Sequence, residues 1–472
     1  MARPAQPRDL YAELVRTAPG AALARRAGLP RPAVLRRFEA GAPLLPGPAL
    51  VLTLGTGLSA FRTREAGGAL ASVLARAGAD VALELSAVPD GERLGAVVVD
   101  ATGATSTADL AALGLALGPA VRRLGPSARV LLVGRTPAAG GGAAAVETAA
   151  VQQGLEGITR TVGKELRAGA TANLLRLAPG AGAGDLAGPL AFLASARSAF
   201  VDGQVVEVAP GTAGDDDGGT ASERPLDGAV AVVTGAARGI GRATAQVLAR
   251  QGARVVAVDV PAASGDLART ANGVAGQALA LDVTAADAPT RLVEHLRRVL
   301  DGPAGDRLVV VHNAGITRDR LLVNLDAARW EAVLAVNLAA PLRLTGALLD
   351  AGLLGAGARV VGVSSTSGLA GNRGQANYAA SKAGVAGMVR ALAPRLAEVG
   401  ATANAVAPGF VETEMTARIP PVLRQLGRRT ASLQQGGLPV DVAETVAWLA
   451  EPASAGVTGQ VVRVCGQALV GA

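Results

Sequence analysis

The chain holds two tyrosines, Tyr11 and Tyr378, and two lysines, Lys164 and Lys382, against forty-three arginines. One of each falls in Asn377-Tyr378-Ala379-Ala380-Ser381-Lys382. Helical residues four apart share a face, so a helix here sets an ammonium beside a phenol. A free phenol titrates near pH 10, and a nearby positive charge lowers that value. The pair would then be an acid/base usable near neutrality. An accidental pair on a solvated helix has the same spacing, so the context must decide. Thirteen residues upstream, Ser365 ends Ala358-Arg359-Val360-Val361-Gly362-Val363-Ser364-Ser365, which reads as a buried strand entering a loop. A hydroxyl there could polarise a carbonyl. Downstream, Gly384, Val385, Met388, Val389, Leu392 and Leu396 form a helical apolar stripe with Gly400 as its stop.

A dinucleotide would have to be supplied by the residues before this triplet. Ala229-Val230-Ala231-Val232-Val233 is a short apolar run leading into Thr234-Gly235-Ala236-Ala237-Arg238-Gly239-Ile240-Gly241. A helical stretch follows through Leu248, then Arg254-Val255-Val256-Ala257-Val258-Asp259. The order is strand, glycine turn, helix, strand, acid. Glycines let the backbone approach a pyrophosphate, the helix N-terminus faces its charge, and the acid accepts both ribose hydroxyls.

On these residues the segment 225–472 resembles the short-chain dehydrogenase/reductase family. The resemblance implies that Gly235, Arg238, Gly239, Ile240 and Gly241 form the cofactor loop and Asp259 holds the adenosine ribose. It sets Asp282 and Val283 along the adenine, and Asn313-Ala314-Gly315 as the central loop. Asn337, Ser365, Tyr378 and Lys382 would be the catalytic tetrad, with Tyr378 and Lys382 also touching the cofactor. Pro408, Gly409, Val411 and Thr413 match the segment lying against the nicotinamide. His312 stands where many relatives have a second asparagine, so a loop hydrogen bond is expected to differ. Arg238 could reach a 2′-phosphate, but the Asp259 carboxylate would repel it. NADH/NAD is therefore expected over NADPH. The segments Gln375–Gly384 and Pro408–Met415 and the run Ile316-Thr317-Arg318-Asp319 are most similar to 3-oxoacyl-(acyl-carrier-protein) reductases. The C-terminal Val462–Gln467 and the extra N-terminal half are similar to their high-molecular-weight, two-domain form.

Composition agrees with such an enzyme. A chain of 472 residues exceeds a usual single domain. A single Cys465 and two histidines, His295 and His312, exclude internal disulfides and argue against a metal site. The net charge of +7 is spread over scattered arginines without interleaved aromatics, so no nucleic acid is expected. Arg318, Arg320, Arg424, Arg428 and Arg429 could instead steer an acidic acyl carrier or coenzyme A phosphates. Neither a membrane span nor a signal peptide is indicated, and a cytoplasmic enzyme, a homodimer or homotetramer, is the expectation.

The N-terminal half reads as a degraded copy. Ser72–Val81 parallels Gln246–Val255, and Ala128-Arg129-Val130 parallels Ala358-Arg359-Val360. That second pair is offset by 230 residues, which sets Arg135 against Ser365, Thr148 against Tyr378 and Gln152 against Lys382. Gly55 and Gly57 are not spaced as in the other copy, and Phe61 falls where a glycine is needed. The expected architecture is two doubly wound, Rossmann-like parallel-sheet domains, the N-terminal one degenerate and catalytically silent. Its parts are an arm over 1–46, a Rossmann/flavodoxin-like domain over 47–212, a linker over 213–224 and the catalytic domain over 225–472. The arm could lie over a neighbouring subunit, and the segment Thr416–Gly437 is expected to close over an acyl chain.

The activity implied is reversible hydride transfer at C3 of a 3-oxoacyl thioester carried on acyl carrier protein or coenzyme A, in fatty acid metabolism. Tyr378 would act as the acid, Ser365 would bind the same oxygen, Lys382 would tune the phenol and hold the ribose, and Asn337 would order a water. A secondary-alcohol or steroid dehydrogenase on the same tetrad, and a non-catalytic dinucleotide-sensing scaffold, are the alternatives.

Overall fold

The computed structural model describes residues 9–55, 68–211, 224–300, 307–417 and 419–468. Two parallel sheets form it, their inner strands built from short runs of valine, leucine and alanine buried on both faces, as sheets covered by helices require. The first sheet comprises β1 (Ala49–Gly55), β2 (Val81–Ala82), β3 (Leu94–Gly103), β4 (Leu124–Arg135), β5 (Thr171–Leu177) and β6 (Val205–Val208), in the order β2-β1-β3-β4-β5-β6. The second comprises β7 (Ala229–Thr234), β8 (Arg254–Asp259), β9 (Gln277–Ala280), β10 (Arg307–His312), β11 (Arg359–Val363), β12 (Thr402–Pro408) and β13 (Val461–Val464). Its order is β9-β8-β7-β10-β11-β12-β13, reversing direction between β7 and β10. Both orders are doubly wound, as expected from the sequence.

The two compact units are not two unbroken runs of chain. One holds Met1–Ala221 together with Pro421–Gly436 and Gly466–Ala468, and the other holds Ser222–Pro420, Gly437–Cys465 and Leu469–Ala472. The expected run 225–472 is thus interrupted by two pieces that cluster with the N-terminal half. The arm also belongs to that unit. Its helices Leu10–Arg16 and Ala18–Arg26 are capped by Asp9 and Thr17, and Leu35 is buried. The expected linker lies outside the described residues apart from Arg224, as do Gly57 and Phe61.

The copy relation survives in hydrogen bonds as well as in sequence. The Asn173 carboxamide donates to Val201 O and accepts from Gln204 N, while Asn404 donates to Val457 O and accepts from Gln460 N. Both asparagines tie the penultimate strand of a sheet to the turn before the last strand. Arg129 and Arg359 are buried at matching places in β4 and β11. The copies differ where β9 stands, since no described strand of the first sheet corresponds to it.

The second core gathers Val230, Val232, Val256, Val310, Leu344, Leu348, Val385 and Val389 around its sheet. The run Ala327–Asp350 is long and apolar enough to cross a membrane by length and composition. Here Val333, Leu344 and Leu348 are buried, and the last two belong to that core.

Asp202, at the turn before β6, is fully buried. One carboxylate oxygen accepts from Ala172 N at 2.8 Å, and the other has no hydrogen-bond partner. Burial pushes its carboxyl up to about 7, against opposing hydrogen bonds and the Arg129 charge. The folded carboxyl therefore holds its proton more tightly than the unfolded one, and stability falls as pH rises from about 4 to about 7. Hydrogen exchange of β5 and β6 amides, corrected for intrinsic rates, is expected to lose roughly 2–4 kcal/mol of protection across that window. Asp202→Asn should flatten the dependence, and an equal slope in both proteins would refute the assignment.

Candidate active site

β7 and β10 are neighbours whose connections leave on opposite faces of the sheet, so a crevice opens beyond their carboxyl ends. Its edges are held together by polar contacts. The Thr234 hydroxyl accepts the N–H of Asn313 at 3.0 Å and of Ala314 at 3.1 Å, and the Asn313 carboxamide donates to Thr234 O and Gly235 O. Gly235 has φ +67°, and a Cβ there would lie 2.9 Å from Ala314 Cα. A Cβ on Gly241 would lie 2.1 Å from Gly235 O. Only glycine fits at either place, so the loop runs tight against the start of the helix Gly239–Arg250.

A cavity of about 420 Å³ lies over this crevice. Every residue expected to touch a cofactor lines it except Gly241, which sits behind the loop. At one end β8 delivers Asp259, whose carboxylate accepts from Ala237 N and Val260 N at 2.9 Å each. Asp282 accepts from the N–H and hydroxyl of Thr284, which fixes the turn after β9. Arg238 is exposed, with its guanidinium 3.8 Å from the Glu414 carboxylate.

At the other end β11 delivers Ser365, which caps the short helix Thr366–Ala370 by accepting from Ser367 N at 3.2 Å. The helix Ala376–Ala397 carries Tyr378 and Lys382 on one face, and Tyr378 and Ser365 both line the cavity. Lys382 Nζ donates to Val363 O at 2.7 Å and lies 5.7 Å from the Tyr378 ring centre. The helix is anchored by Asn377, whose carboxamide donates to Arg318 O and Arg329 O, and by the Ser364 hydroxyl, which donates to Lys382 O.

The electrostatics differ from the simple expectation of an ammonium lowering a phenol. Burial holds Tyr378 above its ordinary value of 10, the neighbouring Ser365 hydroxyl pulls it down less, and the Asp319 carboxylate adds to the rise. Burial alone lowers Lys382 to about 8. Burial, not the Lys382 charge, is the largest influence on the phenol.

Asn337 does not line the cavity. It sits in a π-helical bulge, Ala335–Ala339, and is buried. Its Oδ1 accepts from Ile316 N at 2.8 Å, and its Nδ2 donates to Ile316 O and to Ser381 Oγ at 3.0 Å each. Both donors are used, which leaves one lone pair on Oδ1 for a water. His312, at the departure noted above, pairs with Thr345 Oγ1 at 2.8 Å and is lowered to about 4 by burial, so it packs as a neutral ring.

Sequence reasoning missed the part of Ser381, which bonds Tyr378 O and Asn337, and the lining contributed by Ile316, Val336, Val363, Glu414 and Met415. Ser381 stood inside the quoted motif. The others are apolar or flexible side chains that announce no chemistry. Of the arginines expected to flank the pocket, Arg428 is almost wholly buried and Arg429 is largely so. Among the described residues no group of three or more His, Cys, Asp or Glu could hold a metal ion.

Comparison with known proteins agrees with this geometry. The family model described as enoyl-(acyl carrier protein) reductase matches residues 235–466. A 3-oxoacyl-(acyl-carrier-protein) reductase FabG of Pseudomonas aeruginosa is 41% identical over 244 residues, spanning 51% of this chain and 97% of the relative. The FabG of Thermotoga maritima is likewise 41% identical over 244 residues, with 51% and 98% covered. That of Escherichia coli is 36% identical over 241 residues, with 51% and 97% covered. The chain belongs to the short-chain dehydrogenase/reductase family. It is an oxidoreductase acting on CH–OH groups with a nicotinamide cofactor, and the matched half is the one that holds the cavity.

Proposed function

We propose that the protein reduces 3-oxoacyl thioesters, on acyl carrier protein or coenzyme A, to 3-hydroxyacyl thioesters, with NADH as the favoured cofactor. The observation that carries this reading is the Ser365–Tyr378 pair at one wall of a cavity whose far wall is a tight glycine loop and an acid. The names of the relatives favour a 3-oxoacyl substrate over the enoyl substrate in the family model's description.

A nicotinamide dinucleotide fits the residues present, because the tight turn at Gly235 leads to the helix start at Gly239, where a Cβ would meet only open space, and open space at a helix N-terminus is what a pyrophosphate needs. When bound it supplies the hydride. The remaining work falls to side chains. Asp259 accepts from the ribose hydroxyls, and Lys382 holds the other ribose while staying mostly charged at neutral pH, below its value of about 8. The raised phenol keeps Tyr378 protonated at that pH, which suits a proton donor in the reductive direction. As hydride reaches C3, negative charge grows on the carbonyl oxygen. Tyr378 gives its proton there, and the Ser365 hydroxyl donates a hydrogen bond to the same oxygen. Asn337 holds the Ile316 peptide and Ser381, with one lone pair left to order a water for resupply of the proton.

The N-terminal half is chemically silent in this reading. At the offset of 230 residues, Gln152 spends its carboxamide on Ala101 O, Ala104 O and Arg135 N, and Arg135 turns its Nε to Thr102 O.

Two measurements test the proposal. Tyr378→Phe keeps the ring and removes the hydroxyl, so NADH affinity by fluorescence titration should change little while the single-turnover rate falls by a factor on the order of a thousand. Retention of more than about a tenth of the rate, under 1.4 kcal/mol of barrier, would remove Tyr378 from the role. For the cofactor, a carboxylate fixed by two N–H groups meets a 2′-phosphate with like charge, and Glu414 partly neutralises Arg238. NADH should therefore show the higher kcat/KM, and equal or better use of NADPH would overturn the preference.

A further inference from the structure

The second tyrosine, Tyr11, lies in the arm, where the arm meets the segment Pro421–Gly436 within one compact unit. Arg429 stacks on the Tyr11 ring at 4.6 Å and donates through one nitrogen to both Asp9 oxygens, at 3.0 and 2.8 Å. Arg428 lies 3.9 Å from the same carboxylate, and Gln425 donates to it at 3.4 Å. Further along, Arg31 N donates to Gln434 and Gln435 donates to Ala33 O.

The helix Pro421–Arg429 is turned the opposite way from what hydrophobic burial alone would choose. Val422, Leu423 and Leu426 are 73%, 57% and 57% exposed, while the Arg428 side chain is 1% exposed. A helix free to choose would bury the three apolar groups and leave the arginine in water. Buried charges are held by partners of opposite sign, and the Asp9 carboxylate is one such charge beside Arg428. Its carboxyl is held below the ordinary value, since the N–H of Ala12 and the charges of Arg429 and Arg428 together outweigh its burial.

Both ends of this segment lead to the cavity wall. Glu414, Met415 and Thr416 line the cavity a few residues before Pro421. At the other end, Gly437 N donates to Phe410 O and Gly437 O accepts from Glu412 N, on either side of the lining residue Val411. The held segment is thus continuous in sequence with Glu414–Thr416 on one side and with Gly437, bonded beside Val411, on the other.

We infer that Asp9 is a positioning residue for the reaction: by gripping Arg428 and Arg429 it fixes the orientation of the helix Pro421–Arg429 and thereby the cavity wall that receives the acyl substrate. The inference rests on the acyl-thioester reading above, so its test has one arm that needs no substrate. Trypsin cleavage after Arg424, Arg428 and Arg429 in the full-length protein reads the grip directly. Asp9→Asn is expected to speed it about tenfold, and Asp9→Glu, which keeps the charge, should restore most of the protection. In the second arm Asp9→Asn should raise KM for acetoacetyl-coenzyme A about three- to tenfold, with kcat and KM for NADH within about twofold of the parent. Unchanged cleavage in Asp9→Asn would overturn the grip. Faster cleavage with an unchanged acyl KM would overturn its coupling to the cavity. Failure of the parent protein to reduce acetoacetyl-coenzyme A would count against the substrate reading alone, and the cleavage ratio would still decide the grip.

Discussion

The catalytic half depends on the reciprocal bonding of Thr234 and Asn313 across the point where the sheet reverses direction. Four hydrogen bonds join the ends of β7 and β10. At about 1 kcal/mol net for each buried bond they are a modest stabilisation, but they set the spacing of the crevice. Gly235 is pressed against Ala314 by that spacing, Gly241 against Gly235, and the helix at Gly239 starts where it must. A β-sheet offers such an opening only at its switch point. Asp259 and Pro408 end β8 and β12, and Ser365 follows β11, so they too reach the site from strands that end on that side.

Within the crevice, burial outweighs pairwise charge. The spacing of Tyr378 and Lys382 puts them on one face as the sequence required, but both leave water, and desolvation disfavours the charged form of each. The result is a phenol raised above 10 and an amine lowered to about 8. This leaves an acid that keeps its proton and an amine that holds its charge at neutral pH. Burial acts in the same way on His312 and Asp202, lowering one and raising the other, and at Asp202 it outweighs the hydrogen bonds and the Arg129 charge. Asp9 is the opposite case: less enclosed and facing two arginines, it is held below the ordinary carboxylate value.

Much of the catalytic half was legible in the sequence, because its signals are local. Gly235 to Gly241, Asp259, Tyr378 and Lys382 act through spacings of a few residues along single elements. Asn337 was placed by its motif, yet its engagement with Ile316 and Ser381 depends on a π-helical bulge that no hydrophobic period announces. The order of the N-terminal sheet was legible only as alternating strands and helices, since no described strand there corresponds to β9. The grip of Asp9 on Arg428 and Arg429 was not legible at all. The partners are more than four hundred residues apart in sequence, and the helix they orient violates the pattern by which amphipathic helices are read.

The central claim is that this cavity delivers hydride to C3 of a 3-oxoacyl thioester. The most direct measurement is mass spectrometry of the product formed from acetoacetyl-coenzyme A and NADH bearing deuterium at the transferable position of the nicotinamide. A 3-hydroxybutyryl thioester with one deuterium on C3, and a slower single turnover than with unlabelled NADH, is the result this structure predicts. A purified enzyme that gave no labelled 3-hydroxy product, yet transferred the label to C3 of crotonyl-coenzyme A to give a saturated thioester, would contradict it.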